Sequence, residues 1–125
     1  MDPTIVAAFR RSQVIDLTTT GRRSGESRRI EIYLHSLDGR LVISGIPNPG
    51  RTRAWLHNVT ADSRVTLHLK AGVAADVPGT ARVITDPAER AELLAGVARN
   101  WKRTDLEVMQ AHSPLIEVSV EGYPG

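Results

Sequence analysis

Three stretches of this chain hold side chains suited to gripping a ligand. The turn Gly21-Arg22-Arg23-Ser24-Gly25, with Arg28 just beyond it, gathers guanidinium groups where glycines expose the backbone. Such a turn suits phosphate or carboxylate, because guanidinium forks and free amides both donate to oxyanions. The loop Gly45-Ile46-Pro47-Asn48-Pro49-Gly50 cannot continue a strand, since its two prolines remove ladder donors, and it must be exposed or face a ligand. Ser44, Gly45 and Ile46 open that loop, and their backbone amides can approach the edge of a heteroaromatic ring. Trp55 and Asn58 follow on a predicted helix, where the indole can wall a flat ligand and the amide can anchor a neighbouring loop. The combined chemistry is that of holding an anionic molecule with a planar, flavin-like end.

Chemistry carried by the protein itself has little support. The absence of cysteine removes disulfides, thiolate nucleophiles and iron–sulfur ligation. His35, His57, His68 and His112 lack the spacing of a helical metal pair. No Gly-x-Ser-x-Gly elbow surrounds Ser24 or Ser44, and no histidine–acid pair for acyl transfer can be identified. Asp16, Glu31 and Asp62 read as lone carboxylates, solvated or paired with arginine. A cofactor must therefore carry any redox step.

The charge is unevenly spread. Residues 1–64 hold 10 Arg against 6 acids, a net +4, whereas residues 65–125 hold 6 Lys and Arg against 8 acids, a net −2. With 125 residues, 41% hydrophobic and 24% charged, the chain has the size and composition of a single globular domain. Its apolar runs are far shorter than the roughly 20 residues needed to cross a bilayer, and residues 1–11 lack a leader's apolar centre, so a cytoplasmic location is expected.

The elements that must position these residues follow from periodicity. Asp2 and Pro3 start a short helix with Ile5, Val6 and Phe9 on one face, expected to lie on the sheet. Residues 14–20 alternate as a strand; residues 29–37 form another, with Ile30, Ile32 and Leu34 on one face and Glu31, Tyr33 and His35 on the other. Asp38-Gly39 signals a two-residue hairpin into residues 41–44. A helix is predicted over 51–61, a strand over 64–70 with His68 outward, and, after a Gly/Pro-bounded connection, a strand over 79–84. Asp86-Pro87-Ala88-Glu89 starts a helix running to Trp101, with Glu89 placed to reach back to the cap amide. A short helix over 105–111 and a sixth strand over 115–120 complete the chain. The simplest assembly is a mainly β, six-stranded antiparallel barrel, closed or nearly so, with short helices at its rim.

In this order and spacing, Thr18-Thr19-Thr20-Gly21-Arg22-Arg23-Ser24-Gly25 with Arg28, then Trp55-Leu56-His57-Asn58, Ala61-Asp62-Ser63-Arg64-Val65 and Thr85-Asp86-Pro87-Ala88-Glu89-Arg90 resemble the deazaflavin-dependent nitroreductase and quinone reductase family. The likeness covers about residues 14–120. It implies a split β-barrel that uses coenzyme F-420, a deazaflavin with a phosphodiester and a polyglutamate tail. It implies that Arg22, Arg23, Ser24 and Arg28 surround the phosphate and tail, that Ser44, Gly45 and Ile46 lie beside the ring, and that Trp55 and Asn58 adjoin it. It also implies hydride transfer to a small electron-poor acceptor, a quinone, enone or nitro compound, and a homodimer.

Two positions depart from that pattern. Ile46 stands where some members carry lysine, and Asn100-Trp101-Lys102 with the segment to Ser113 replaces a tyrosine-bearing region near the substrate site. Glu31 adds a negative charge to the strand leaving the basic turn, paired with Arg29 or opposing an anionic tail. An FMN-binding barrel oxidoreductase is the nearest alternative, followed by a non-catalytic carrier of a flavin, haem-derived or lipid-like ligand. Nucleic-acid binding is disfavoured, because the chain has two tryptophans, two tyrosines and one phenylalanine as stacking platforms.

Overall fold

The computed structural model describes residues 1–50 and 52–125. Among these residues six strands close into one antiparallel barrel: β1 (Gln13–Thr20), β2 (Ser27–Leu37), β3 (Arg40–Ser44), β4 (Arg64–Leu69), β5 (Ala75–Val83) and β6 (Leu115–Ser119). The order around the barrel is β1-β2-β3-β6-β5-β4, so β1 pairs with both β2 and β4 and no strand keeps a fully free edge. The helices are α1 (Pro3–Phe9), α2 (Ala54–Ala61), α3 (Pro87–Trp101) and α4 (Leu106–His112). None is long and apolar enough to cross a membrane.

Alternation builds the barrel interior. Gln13, Ile15, Leu17 and Thr19 are the buried positions of β1, and Leu34, Ile43, Leu67 and Ile116 join Ile15 and Leu17 in one core. Phe9 of α1 and Trp55 and Val59 of α2 belong to the same core, so α1 packs onto the barrel through Phe9. A second core lies outside, where Leu93, Leu94 and Val97 of α3 and Met109 of α4 cover Val42 and Leu115.

Local signals account for most boundaries. Asp38 and Gly39 take φ of 49° and 82°, the positive pair that a twisted two-residue hairpin requires. The Asp2 carboxylate accepts from the Thr4 amide at 2.7 Å, and that of Asp86 from the Glu89 amide at 2.9 Å. Glu89 does not return the bond to the cap. Its carboxylate accepts instead from Arg82, at 3.0 and 2.8 Å, and from Arg40 at 2.8 Å, and these charge-assisted bonds outweigh one to a neutral amide.

Two boundaries differ from expectation by three residues or more. Strand β5 begins at Ala75, four residues before the predicted start, and carries Pro78 opposite Thr66 of β4. Proline is tolerated there because β6 pairs only from Thr80 onward. Helix α2 begins at Ala54, because Arg53 is extended with ψ of 140°. Arg51, expected to open this helix, lies outside the described residues.

The outward face of β2 is not wholly solvated. His35 is fully buried beneath the end of α3, with its ring 4.8 Å from those of both Tyr33 and Trp101 and its Nδ1 3.0 Å from Asn100 Nδ2. Burial lowers its pKa from 6.5 to about 4. Between these values the unfolded chain takes up a proton that the folded chain refuses, so stability falls as pH falls, by up to roughly 3 kcal/mol. Thermal melts of the wild type from pH 7.5 to 4 are expected to show this decline. His35→Phe, which cannot titrate, is expected to have a flatter acid limb despite the lost Asn100 contact; an equally steep limb would rule out His35 as its source.

Candidate functional site

Strand β1 runs directly into the arginine-bearing turn. Gly21 closes it, donating to the Glu26 carbonyl at 2.8 Å and accepting from the Gly25 amide at 2.8 Å. A Cβ at position 21 would stand 2.8 Å from Ser24 Oγ and 3.2 Å from the Glu26 carbonyl oxygen, so a larger residue would force this turn apart. Gly25 leaves it with φ of 72°, in the left-handed region. Ser24 Oγ accepts from the Glu26 amide at 3.1 Å and, at 3.4 Å, from Arg28, which also meets Glu26 at 3.3 Å.

Helix α2 packs beside this turn, and Asn58 joins the two. Its Nδ2 donates to Thr19 Oγ1 at 3.1 Å, and its Oδ1 accepts from the Arg22 amide at 3.2 Å. Asn58 and Thr19 are both buried, so these bonds are shielded from water. The side chain thus fixes the start of the turn against the helix that carries Trp55.

Between turn and helix lies a cleft of about 380 Å³, lined by Arg22, Arg23, Ser24, Arg28, Trp55 and Asn58 together with Ile30 and Ala54. Six of the nine expected ligand-binding residues therefore share one cavity wall. Three arginines and no aspartate or glutamate are among its lining residues, with Arg28 the one that also meets the neighbouring Glu26, and Trp55 and Ile30 add an apolar side. Trp55 is also a core residue, 7% exposed, so its packing and its place in the cleft wall are compatible.

Glu31 does not oppose this field. It meets Lys70 at 2.5 Å, while Arg29 pairs with Asp16 at 3.0 Å. Lys70 also binds Asp16, whose pKa is lowered chiefly by that hydrogen bond. Alternation along β2 sends Arg28 and Ile30 to the cleft side and Arg29 and Glu31 to the other.

Ser44, Gly45 and Ile46 line a different region. Ser44 is buried and donates to the Pro114 carbonyl at 2.7 Å, and the Ile46 carbonyl accepts from Arg53 Nη2 at 2.5 Å. A Cβ on Gly45 would lie 3.0 Å from Pro114 and 3.3 Å from the Arg53 guanidinium. The Ile46 side chain is 60% exposed. Arg53 and Pro114 line a second cavity of about 360 Å³ with Leu56, which places it on another side of α2. In the segment that departs from the family pattern, Asn100 and Trp101 pack on His35, whereas residues 110–113 line this second cavity.

One polar triad was not legible in the order of residues. His68, expected outward and solvated, is 8% exposed, with Nδ1 2.6 Å from Asp76 Oδ1 and Nε2 2.6 Å from Thr18 Oγ1. The pairing of His68 with Asp76 across β4 and β5 creates it, which only the strand register reveals. The surrounding strand amides are committed to ladders, and the arrangement serves as a cross-strand tie. Among the described residues no three His, Asp or Glu side chains gather as a metal site.

Barrel and helices together define a small split-barrel fold. Among solved structures the chain is similar to the reduced-F-420-dependent reductase FDR-A, with TM-score 0.65 and 19% identity over 85% of this chain and 93% of that one. It is also similar to a conserved hypothetical protein from Mycobacterium tuberculosis, with TM-score 0.73 and 17% identity over 97% and 81%. A third, described as a putative pyridoxamine 5'-phosphate oxidase from Listeria innocua, has TM-score 0.68 and 14% identity over 94% and 91%. These likenesses establish the fold. No curated protein matches the sequence. Residues 1–122 match the F-420H(2)-dependent quinone reductase family, and the chain belongs to that family.

Asn58→Ala removes both bonds that tie α2 to the turn and leaves the buried Thr19 hydroxyl without that partner. Its expected cost is about 1–3 kcal/mol of stability, read from urea unfolding. A loss within error of zero would show that the turn is held by other contacts.

Proposed function

We propose that the chain is a reductase that binds reduced coenzyme F-420 along the basic cleft and delivers hydride from it to a small electron-poor molecule, a quinone, enone or nitro compound. The observation that carries this reading is the cleft itself: Arg22, Arg23 and Arg28 converge on a carboxylate-free wall beside Trp55. A polyanionic, ring-bearing coenzyme complements both halves of that wall. The coenzyme supplies the hydride when bound.

The residues of this chain bind and orient. Arg22, Arg23 and Arg28 would hold the phosphate and tail, with Ser24 adding a hydroxyl donor. Asn58 would act by keeping the turn in place through the Arg22 amide. Trp55 would exclude water from one side of the ligand, and Ser44, Gly45 and Ile46, on the Arg53 side of α2, would adjoin the ring. Three guanidiniums exceed what a single FMN phosphate needs, which favours the longer anionic coenzyme.

Fluorescence titration is expected to show tighter binding of reduced F-420 than of FMN; the reverse order would overturn the coenzyme assignment. Arg23→Ala is expected to weaken coenzyme binding by on the order of 1–3 kcal/mol through a lost charge-assisted contact, with the melting temperature nearly unchanged because the residue is exposed. Steady turnover of a quinone, enone or nitroaromatic panel separates a reductase from a carrier. One similar structure is described as a domain-swapped dimer, and this chain is expected to scatter light as a homodimer at micromolar concentration; a monomer alone would exclude that assembly.

A further inference from the structure

The second cavity carries an unbalanced charge. Its lining includes Arg53, Arg90 and His112 and no aspartate or glutamate. Among the described residues neither arginine forms an ion pair, although Arg28, Arg29, Arg40, Arg64, Arg82 and Arg103 all do. Guanidiniums withdrawn from bulk water without a counter-ion are costly, and the pKa of Arg90 is lowered by burial.

Arg90 is spent on the walls. Its Nη1 donates to the Ile84 carbonyl at 3.1 Å, and its Nη2 to those of Gln110 and Ser113, each at 2.9 Å, binding the end of α4 to the end of β5. Arg53 is only half used. Nη2 donates to the Ile46 carbonyl, while Nη1 is buried with no partner. Of six buried side-chain polar atoms without partners among the described residues, three belong to residues lining this one cavity: Arg53 Nη1, Ser113 Oγ and Gln110 Oε1. Ser113 is itself 4% exposed. Native interiors seldom leave such groups unpaired, and the two donors among them, Arg53 Nη1 and the Ser113 hydroxyl, are best explained by an oxyanion that accepts from both, whereas Gln110 Oε1, itself an acceptor, takes no part in that pairing.

From this we infer that the cavity between α2 and α4 binds a small organic carboxylate. Its anionic head takes hydrogen bonds from Arg53 Nη1 and the Ser113 hydroxyl after small side-chain rotations, and its apolar body lies against Leu56 and Pro114. A volume of about 360 Å³ admits a molecule the size of a one-ring acid. Taken with the reductase reading, on which this last step rests, the molecule held by its carboxylate also bears the electron-poor double bond that takes the hydride. A proton from water completes the reduction, the carboxylate itself is unchanged, and Arg53 selects acceptors that bear an anionic group.

Benzoate and its neutral analogue benzamide test the site in chloride-only buffer by amide NMR titration of the full chain. Benzoate is expected to shift the amides of residues 53 and 110–115 saturably and to bind at least tenfold tighter than benzamide. Arg53→Leu is expected to weaken benzoate at least tenfold and Ser113→Ala severalfold, whereas Arg53→Lys, which keeps the charge, is expected to retain most of the binding. Equal binding of the two probes, unchanged binding in a folded Arg53→Leu variant, or shifts confined to residues 21–28 would overturn the proposal. An F-420 titration of the same samples separates the two readings. Benzoate binding without coenzyme binding refutes the reductase assignment alone, and coenzyme binding without benzoate binding refutes the carboxylate site alone.

Discussion

The amide of Asn58 is the joint on which the arginine-turn end of this protein depends. A helix and a hairpin turn have no backbone ladder between them, so their relative position rests on side chains. Asn58 meets that need from a buried position, giving a hydrogen bond to Thr19 and taking one from the Arg22 amide. In low dielectric such bonds are strong and leaving them unmade is expensive, so the turn has little freedom to slide. The arginines that follow Arg22 inherit that placement.

Barrel closure supplies the second constraint. Because β1 pairs with both β2 and β4, its inward residues are held from two sides, and Thr19 is presented to α2 at a defined height. The same closure separates charges. Alternation sends Asp16, Arg29 and Glu31 to one surface, where Lys70 and Arg29 neutralise the carboxylates, and leaves Arg28 on the other. The cleft stays cationic because the acids nearest to it in sequence mostly point elsewhere. Helix α2 then stands between two cavities, with the arginine turn and Trp55 beside one and Arg53 and Leu56 beside the other.

Much of this was legible in order and spacing. Period-2 alternation and turn signals located all six strands, β5 only in its second half, Asp38-Gly39 identified the hairpin, and Asp86-Pro87 marked the start of α3, because each signal is local and acts within a few residues. The grouping of Arg22, Arg23, Ser24 and Arg28 was equally plain, since one turn holds them. Local signals failed where distant chain supplied the deciding partner. Pro78 argued against a strand until β6 proved not to reach it; Glu89 had a cap amide within reach but also Arg40 and Arg82; His35 and His68 occupied outward positions that α3, Asp76 and Thr18 turned into buried ones.

The amino-acid sequence by itself determined a cysteine-free, six-stranded domain with a cationic turn, since composition and short-range periodicity need no partner to act. Only tertiary structure decided that Ser44, Gly45 and Ile46 belong with Arg53 and Pro114 rather than with the arginine turn, and that among the described residues Arg53 meets no carboxylate while Arg29 does. Those outcomes depend on which strands become neighbours and which end of a helix faces a hollow. Such choices are set by closing the barrel and packing α2 and α4 upon it, where contacts join residues dozens of positions apart.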